Sequence, residues 1–272
     1  MAYNIRPLSF AEILDRSLRI LVDNAVVLIG ISAIVWVPER VFLSLGKGFQ
    51  VITVILLIAV VPLFQAAITT AVAEIYLDRP VTIAGAYRSA WAILLPFVGT
   101  YLLLYSMFLM AGIVYGVIVA LGSVAGLGLP LAIILGVLVG LPLGLYWNTR
   151  WSLIGPVMIV ERRFGLAALR RSRDLVEGAW WRTFGIIIVA ALISQVPVGA
   201  LNLLWSSIPV LGVLLSGVGA AISSAYSVIA IVVYYFDRRC RIEDFDLLLL
   251  AEQIRSQGAH DSPAASGAPS LV

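Results

Sequence analysis

Long apolar runs separated by short polar gaps dominate the chain. Runs close to the ~20 residues an α-helix needs to cross a hydrocarbon core about 30 Å thick fall at 25–45, 51–77, 93–121, 129–159, 183–205 and 211–236. The pattern predicts an all-α polytopic membrane protein with about six transmembrane helices. Pro38, Glu39 and Arg40 interrupt the first run after thirteen clean residues. A kink or a partly re-entrant first helix is expected there, because proline is tolerated in membrane helices where neighbours satisfy the freed carbonyl.

Shorter amphipathic stretches precede three of the spans. Ser9 followed by Glu12 has capping-box spacing, so a helix is expected to begin there. Its Phe10, Ile13, Leu14, Leu18 and Leu21 fall on one face, opposite Glu12, Asp15, Arg16 and Arg19. Leu166, Leu169, Val176 and Trp180 repeat that design against Arg170, Arg171, Arg173, Asp174 and Glu177. Ser9-Phe10-Ala11, Thr82-Ile83-Ala84 and Gly165-Leu166-Ala167 open three segments that each soon reach an Arg-Ser pair. The expectation is an interfacial helix followed by a helical hairpin, three times over.

Charge placement gives the spans a direction. With six spans, 15 of the 18 basic residues fall on one side and only Arg40 and Lys47 on the other, with Arg150 at the edge of the fourth span. Basic residues collect in short cytoplasmic loops, so the protein is expected in the cytoplasmic membrane with both termini cytoplasmic. The segment before residue 25 carries Glu12, Asp15, Arg16 and Arg19 where a signal peptide would be apolar, and the first helix is expected to remain as an anchor.

Composition then narrows the chemistry. Hydrophobic residues make up 61% of the chain and charged ones 12%, with a mean hydropathy of +1.04. The single cysteine, Cys240, forms no internal disulfide, and the single histidine, His260, lies in a tail rich in Ser, Ala, Pro and Gly. No metal and no cofactor is expected. The chain divides into one integral membrane domain, 1–255, and a tail, 256–272, whose composition predicts disorder. The net charge of +3 sits beside apolar spans without any nucleic-acid-binding module. The expected partners are therefore the bilayer and anionic phospholipid headgroups rather than nucleic acid.

The ionisable groups in or beside the spans are Glu39, Arg40, Glu74, Arg150 and Glu161. Charge at that depth is costly and normally faces a cavity or a partner, so the five form a candidate intramembrane polar site, with Glu74 as the expected partner of Arg150. Arg150 and Glu161 would lie roughly 16 Å apart along an unbroken helix. The competing expectation places Arg150 at the interface beside Trp147 and Trp151, with Gly155-Pro156 breaking the helix below. The 19 residues from 129 to 147 favour it, being long enough to span alone. Arg162, Arg163, Arg170, Arg171 and Arg173 form a second candidate set, a cluster suited to anionic lipid phosphates or needed only to fix topology. Glycines at four-residue spacing, such as Gly112 with Gly116 and Gly136 with Gly140, predict close helix packing. After the last span, Phe245, Leu248, Leu249 and Ile254 are expected to form one apolar face that docks beneath the bundle.

Several stretches resemble one known bacterial family. They are Arg6-Pro7-Leu8-Ser9-Phe10-Ala11-Glu12-Ile13-Leu14-Asp15-Arg16, Arg79-Pro80-Val81-Thr82, Arg150-Trp151-Ser152-Leu153 running through Pro156 and Glu161 to Ala168-Leu169-Arg170-Arg171-Ser172, and Tyr234-Tyr235-Phe236-Asp237-Arg238-Arg239 with Glu243-Asp244-Phe245-Asp246. Together they are similar to the membrane domain of glycerophosphoryl diester phosphodiesterases, over nearly the whole chain up to about residue 254. The resemblance implies a six-span fold. It does not imply hydrolysis, because the soluble barrel that performs it elsewhere in the family has no counterpart here.

No G-x-S-x-G, H-E-x-x-H or phosphate-cradling glycine loop is present, and metal-assisted phosphodiester hydrolysis needs several carboxylates and histidines. A non-catalytic module that organises lipids or recruits a partner at the cytoplasmic leaflet is the leading expectation. A transporter or flippase for an anionic lipid or small solute is the alternative, followed by an intramembrane enzyme acting on phospholipid. A transport path needs polar groups converging at mid-membrane, and the third and fifth runs offer little beyond Ser106 and Ser194-Gln195.

Overall fold

The computed structural model describes residues 6–205 and 208–244, with no strand among them. The 256–272 tail and the apolar segment after residue 244 lie outside the described residues. Ten helices follow one another: α1 Phe10–Asp23, α2 Ala25–Ser44, α3 Lys47–Tyr76, α4 Ile83–Ala92, α5 Leu94–Gly122, α6 Leu129–Arg150, α7 Ile154–Val160, α8 Leu166–Val176, α9 Trp180–Trp205 and α10 Pro209–Glu243. Among the described residues five stretches are long and apolar enough to cross a membrane: α2, α5, α6 with α7, α9 and α10. The sixth expected span is α3, a 30-residue helix whose 60–76 part is apolar. The protein is an all-α, multi-pass membrane protein.

The local signals explain the interfacial helices. Ser9 caps α1 with the full capping box: its hydroxyl accepts from the Glu12 amide at 3.3 Å and the Glu12 carboxylate accepts from the Ser9 amide at 2.7 Å. That amide, with Arg6 behind it, holds the Glu12 carboxyl down to about 2. Thr82 caps α4 by accepting from the Gly85 amide at 3.1 Å. α3 ends in a Schellman turn, with the Arg79 amide on the Glu74 carbonyl at 2.9 Å and the Asp78 amide on the Ile75 carbonyl at 3.0 Å. Asp78 and Arg162, after the ends of α3 and α7, and Asp244, closing α10, all take left-handed backbone angles.

The three expected repeats are α1–α3, α4–α7 and α8–α10, and they pack in a cycle. The inner helices α3, α7 and α10 touch one another. The outer helices of the first two repeats lean on the inner helix of the repeat before, α2 on α10 and α5 on α3, whereas α9 packs chiefly on α10 and meets the second repeat through α6. The interfacial helices follow the same rule, α1 on α10, α4 on α3 and α8 on α7. Side chains mark the cycle too. Phe10 at the start of α1 fills the space over Gly185 in α9, and Ile83 at the start of α4 fills that over Gly30 in α2. The Gly165 amide ahead of α8 donates to the Thr100 hydroxyl in α5 at 2.7 Å. The symmetry is incomplete, because α5 and α6 expose apolar side chains along most of their length. They form a hairpin facing lipid, within which Gly136 and Gly140 leave room for the Tyr115 ring.

One expectation about a single helix changes, the partly re-entrant form of the first span. α2 runs through Pro38 as one continuous helix of 20 residues. The fourth run is two helices, in line with the expected break near Gly155-Pro156. A turn at 151–153 separates α6 from α7, whose residues 154–159 are buried. Pro156 explains the position of the break: its ring excludes the carbonyl four residues upstream, at Ser152, and it fits the first turn of a new helix.

Candidate functional site

The last two turns of α10 hold all of that helix's charged residues, Asp237, Arg238, Arg239, Arg241 and Glu243. Asp237, whose side chain is fully buried, accepts from the Leu8 amide at 2.7 Å, from Arg182 Nη2 at 3.1 Å and from Arg241 Nε at 3.0 Å. Both arginines also donate to the Leu8 carbonyl, at 2.6 and 2.7 Å. The chain entering α1 is thereby clamped by one carboxylate and two guanidinium groups. One residue on, Arg238 donates to the Leu175 carbonyl at 2.8 Å, placing a cation at the C-terminal end of α8 where the helix dipole favours it.

A second network runs along the neighbouring face. Glu161, 9% exposed, takes Arg171 at 2.8 Å and Arg163 at 3.3 Å, and accepts from the Tyr235 hydroxyl at 3.0 Å. Arg171 also pairs with Glu243, which Arg239 holds from four residues earlier at 2.9 Å. Burial works against the Arg171 charge, yet the hydrogen bonds it donates to Glu161 and Glu243 override it and raise its pKa.

The first candidate set does not assemble into one site. Glu39 and Arg40 pair with each other at 3.2 Å in the last part of α2, at the end of the bundle remote from Asp237. Glu74 is held by Arg79 at 3.2 Å and does not meet Arg150: the Schellman turn returns Arg79 to Glu74 locally, while α6 packs on α5, α8 and α9. Arg150 donates to the Tyr146 hydroxyl, with its guanidinium 5.6 Å from the centre of that ring. It sits among interfacial aromatics, Trp147 and Trp151 being edge-to-face at 4.9 Å and Tyr146 stacked on Trp180 at 6.0 Å. Glu161 is separated from Arg150 by the 151–153 turn and belongs to the second network.

The second candidate set divides. Arg171 is internal and Arg163 leans on Glu161, whereas Arg162, Arg170 and Arg173 are exposed. Arg173 pairs with the adjacent Asp174 at 3.1 Å. Arg170 and Arg173 turn toward Arg150, and the three arginines share a groove of ≈ 370 Å³ floored by Met107, Trp147, Trp151 and Leu169. Its position follows from helix periodicity: Leu166, Leu169, Arg170 and Arg173 form one stripe of α8. Sequence reasoning did not place Arg150 with this pair, and it missed the Asp237 clamp although the 237/241 and 239/243 spacings display both ion pairs.

Residues 39–259 match the model of a family described as a domain of unknown function, DUF8558. That match covers well over half of the 272-residue chain, and the protein belongs to this family. No curated protein and no solved structure matches it.

Proposed function

We propose that the protein is a non-catalytic module of the cytoplasmic membrane that organises anionic lipids at the leaflet beside its arginine-rich end, with both termini cytoplasmic. The observation that carries this reading is the division of the arginines. Arg171, Arg182, Arg238 and Arg241 are consumed by internal carboxylates and carbonyls, while Arg150, Arg162 and Arg170 make no ion pair with a carboxylate among the described residues. Unspent cations beside an aromatic girdle attract anionic headgroups by about 1 kcal/mol each. A central transport site is less favoured, since Glu74 and Arg150 are held by other partners.

Trp147, Trp151, Trp180 and Trp181 make the test direct. In vesicles containing equal fractions of brominated phosphatidylglycerol or brominated phosphatidylcholine, the anionic lipid is expected to quench tryptophan fluorescence more, with the difference shrinking as salt rises. Equal quenching at low salt contradicts the proposal.

A further inference from the structure

We infer that the groove between α6 and α8 is a discrete binding site for the phosphate of one anionic phospholipid, held by Arg150, Arg170 and Arg173. This rests on the lipid-organising reading and narrows it from general attraction to a single stoichiometric site.

Three arginines from two helices converge on the groove. Arg150 closes α6 and is oriented by Tyr146, so its guanidinium is placed rather than trailing in water. The Ser172 hydroxyl donates to the Arg150 carbonyl at 3.1 Å, fixing α8 against the end of α6. Asp174 pairs with the adjacent Arg173, whereas Arg150 and Arg170 pair with no carboxylate among the described residues. Guanidinium forks match phosphate oxygens in planar, bidentate fashion.

The remaining lining selects a lipid over a soluble phosphate. Met107, Trp147, Trp151 and Leu169 make the floor apolar. Beyond Met107 the α5–α6 hairpin presents exposed Leu109, Met110 and Ile113, a surface suited to acyl chains. With two cations left unpaired, a headgroup carrying net negative charge fits better than a zwitterionic one, whose ammonium would meet arginine.

Native mass spectrometry of the full-length protein released from mixed phosphatidylglycerol and phosphatidylcholine nanodiscs tests this. Wild type is expected to retain one phosphatidylglycerol. The Arg150→Gln/Arg170→Gln/Arg173→Gln variant is expected to lose it, with affinity reduced roughly tenfold or more, while Arg162→Gln keeps it. Arg170→Gln alone, an exposed position that makes no ion pair among the described residues, is expected to lower occupancy without altering thermal unfolding, which keeps the test valid if the triple variant folds poorly. Excess soluble glycerol phosphate is expected to leave the bound lipid in place; displacement by it would overturn the assignment to a lipid. Equal retention in wild type and the Arg170 variant, or equal loss in Arg162→Gln, would also overturn the site. Absence of a retained lipid together with preferential quenching by the brominated anionic lipid would reject this discrete site and leave the broader reading standing. Absence of both would reject the two together.

Discussion

Asp237→Ala is expected to destabilise the folded protein by about 3–5 kcal/mol, the range for removing one partner of a buried ion pair. The carboxylate is completely shielded and accepts from three donors, the Leu8 amide, Arg182 and Arg241. Truncation orphans the amide and leaves two guanidinium groups facing each other, with only the Leu8 carbonyl in common. The loss is local as well as global, since those contacts tie the chain ahead of α1 to α10. Cleavage ahead of Phe10 in limited proteolysis is therefore expected to appear before the bundle unfolds. Asp237→Asn, which keeps an acceptor but not the charge, is expected to lose less. A thermal unfolding midpoint equal to wild type in Asp237→Ala would show that the clamp contributes nothing.

The second large effect is cooperative. Arg171 bridges Glu161 and Glu243, so either carboxylate alone still compensates its half-buried charge. Glu161→Gln is expected to cost about 1.5–3 kcal/mol, the range for hydrogen bonds to charged groups, including the weakened contact with Tyr235. Glu161→Gln with Glu243→Gln is expected to cost more than the sum of the two single changes, because only then is Arg171 left without an anion. Coupling of about 0.5–3 kcal/mol is the usual range for residues in one network. Strict additivity in a double-mutant cycle followed by thermal unfolding would contradict the bridge.

Much of the fold is legible from hydrophobic run lengths, because the bilayer admits few alternatives to apolar helices. Ser9 and Glu12 announce α1 for a related reason: a capping box is a local contact between residues three apart. The threefold segment pattern also survives into the structure as cyclic packing of α3, α7 and α10. The α6–α7 break shows where run length fails. Within the 129–159 run Arg150 and Pro156 signal the change from one helix to two, but the burial of α7 against α3 and α8 is a tertiary fact.

The candidate site was legible in composition but not in pairing. Six residues, Arg150 with the five of the 162–173 cluster, were visible as cations near an interface. Which of them are spent internally depends on the turn that brings Arg171 back to Glu161 and on Glu243 and Tyr235 arriving from α10. The expected Glu74–Arg150 pair fails because Arg79, five residues after Glu74, reaches it through a local turn. By the same logic Asp237 meets Leu8 across 229 residues of chain, a contact no local pattern encodes.

In the proposed reading the arginines at this end do two separate jobs. Single Gln substitutions at Arg171, Arg182 and Arg241, and at Arg150, Arg170 and Arg173, measured in parallel for unfolding midpoint and for retained phosphatidylglycerol, test it most directly. Two groups are expected: the first loses stability and, where folded, keeps lipid; the second keeps stability and retains less lipid. Losses of stability and lipid that rise together across all six variants would contradict it.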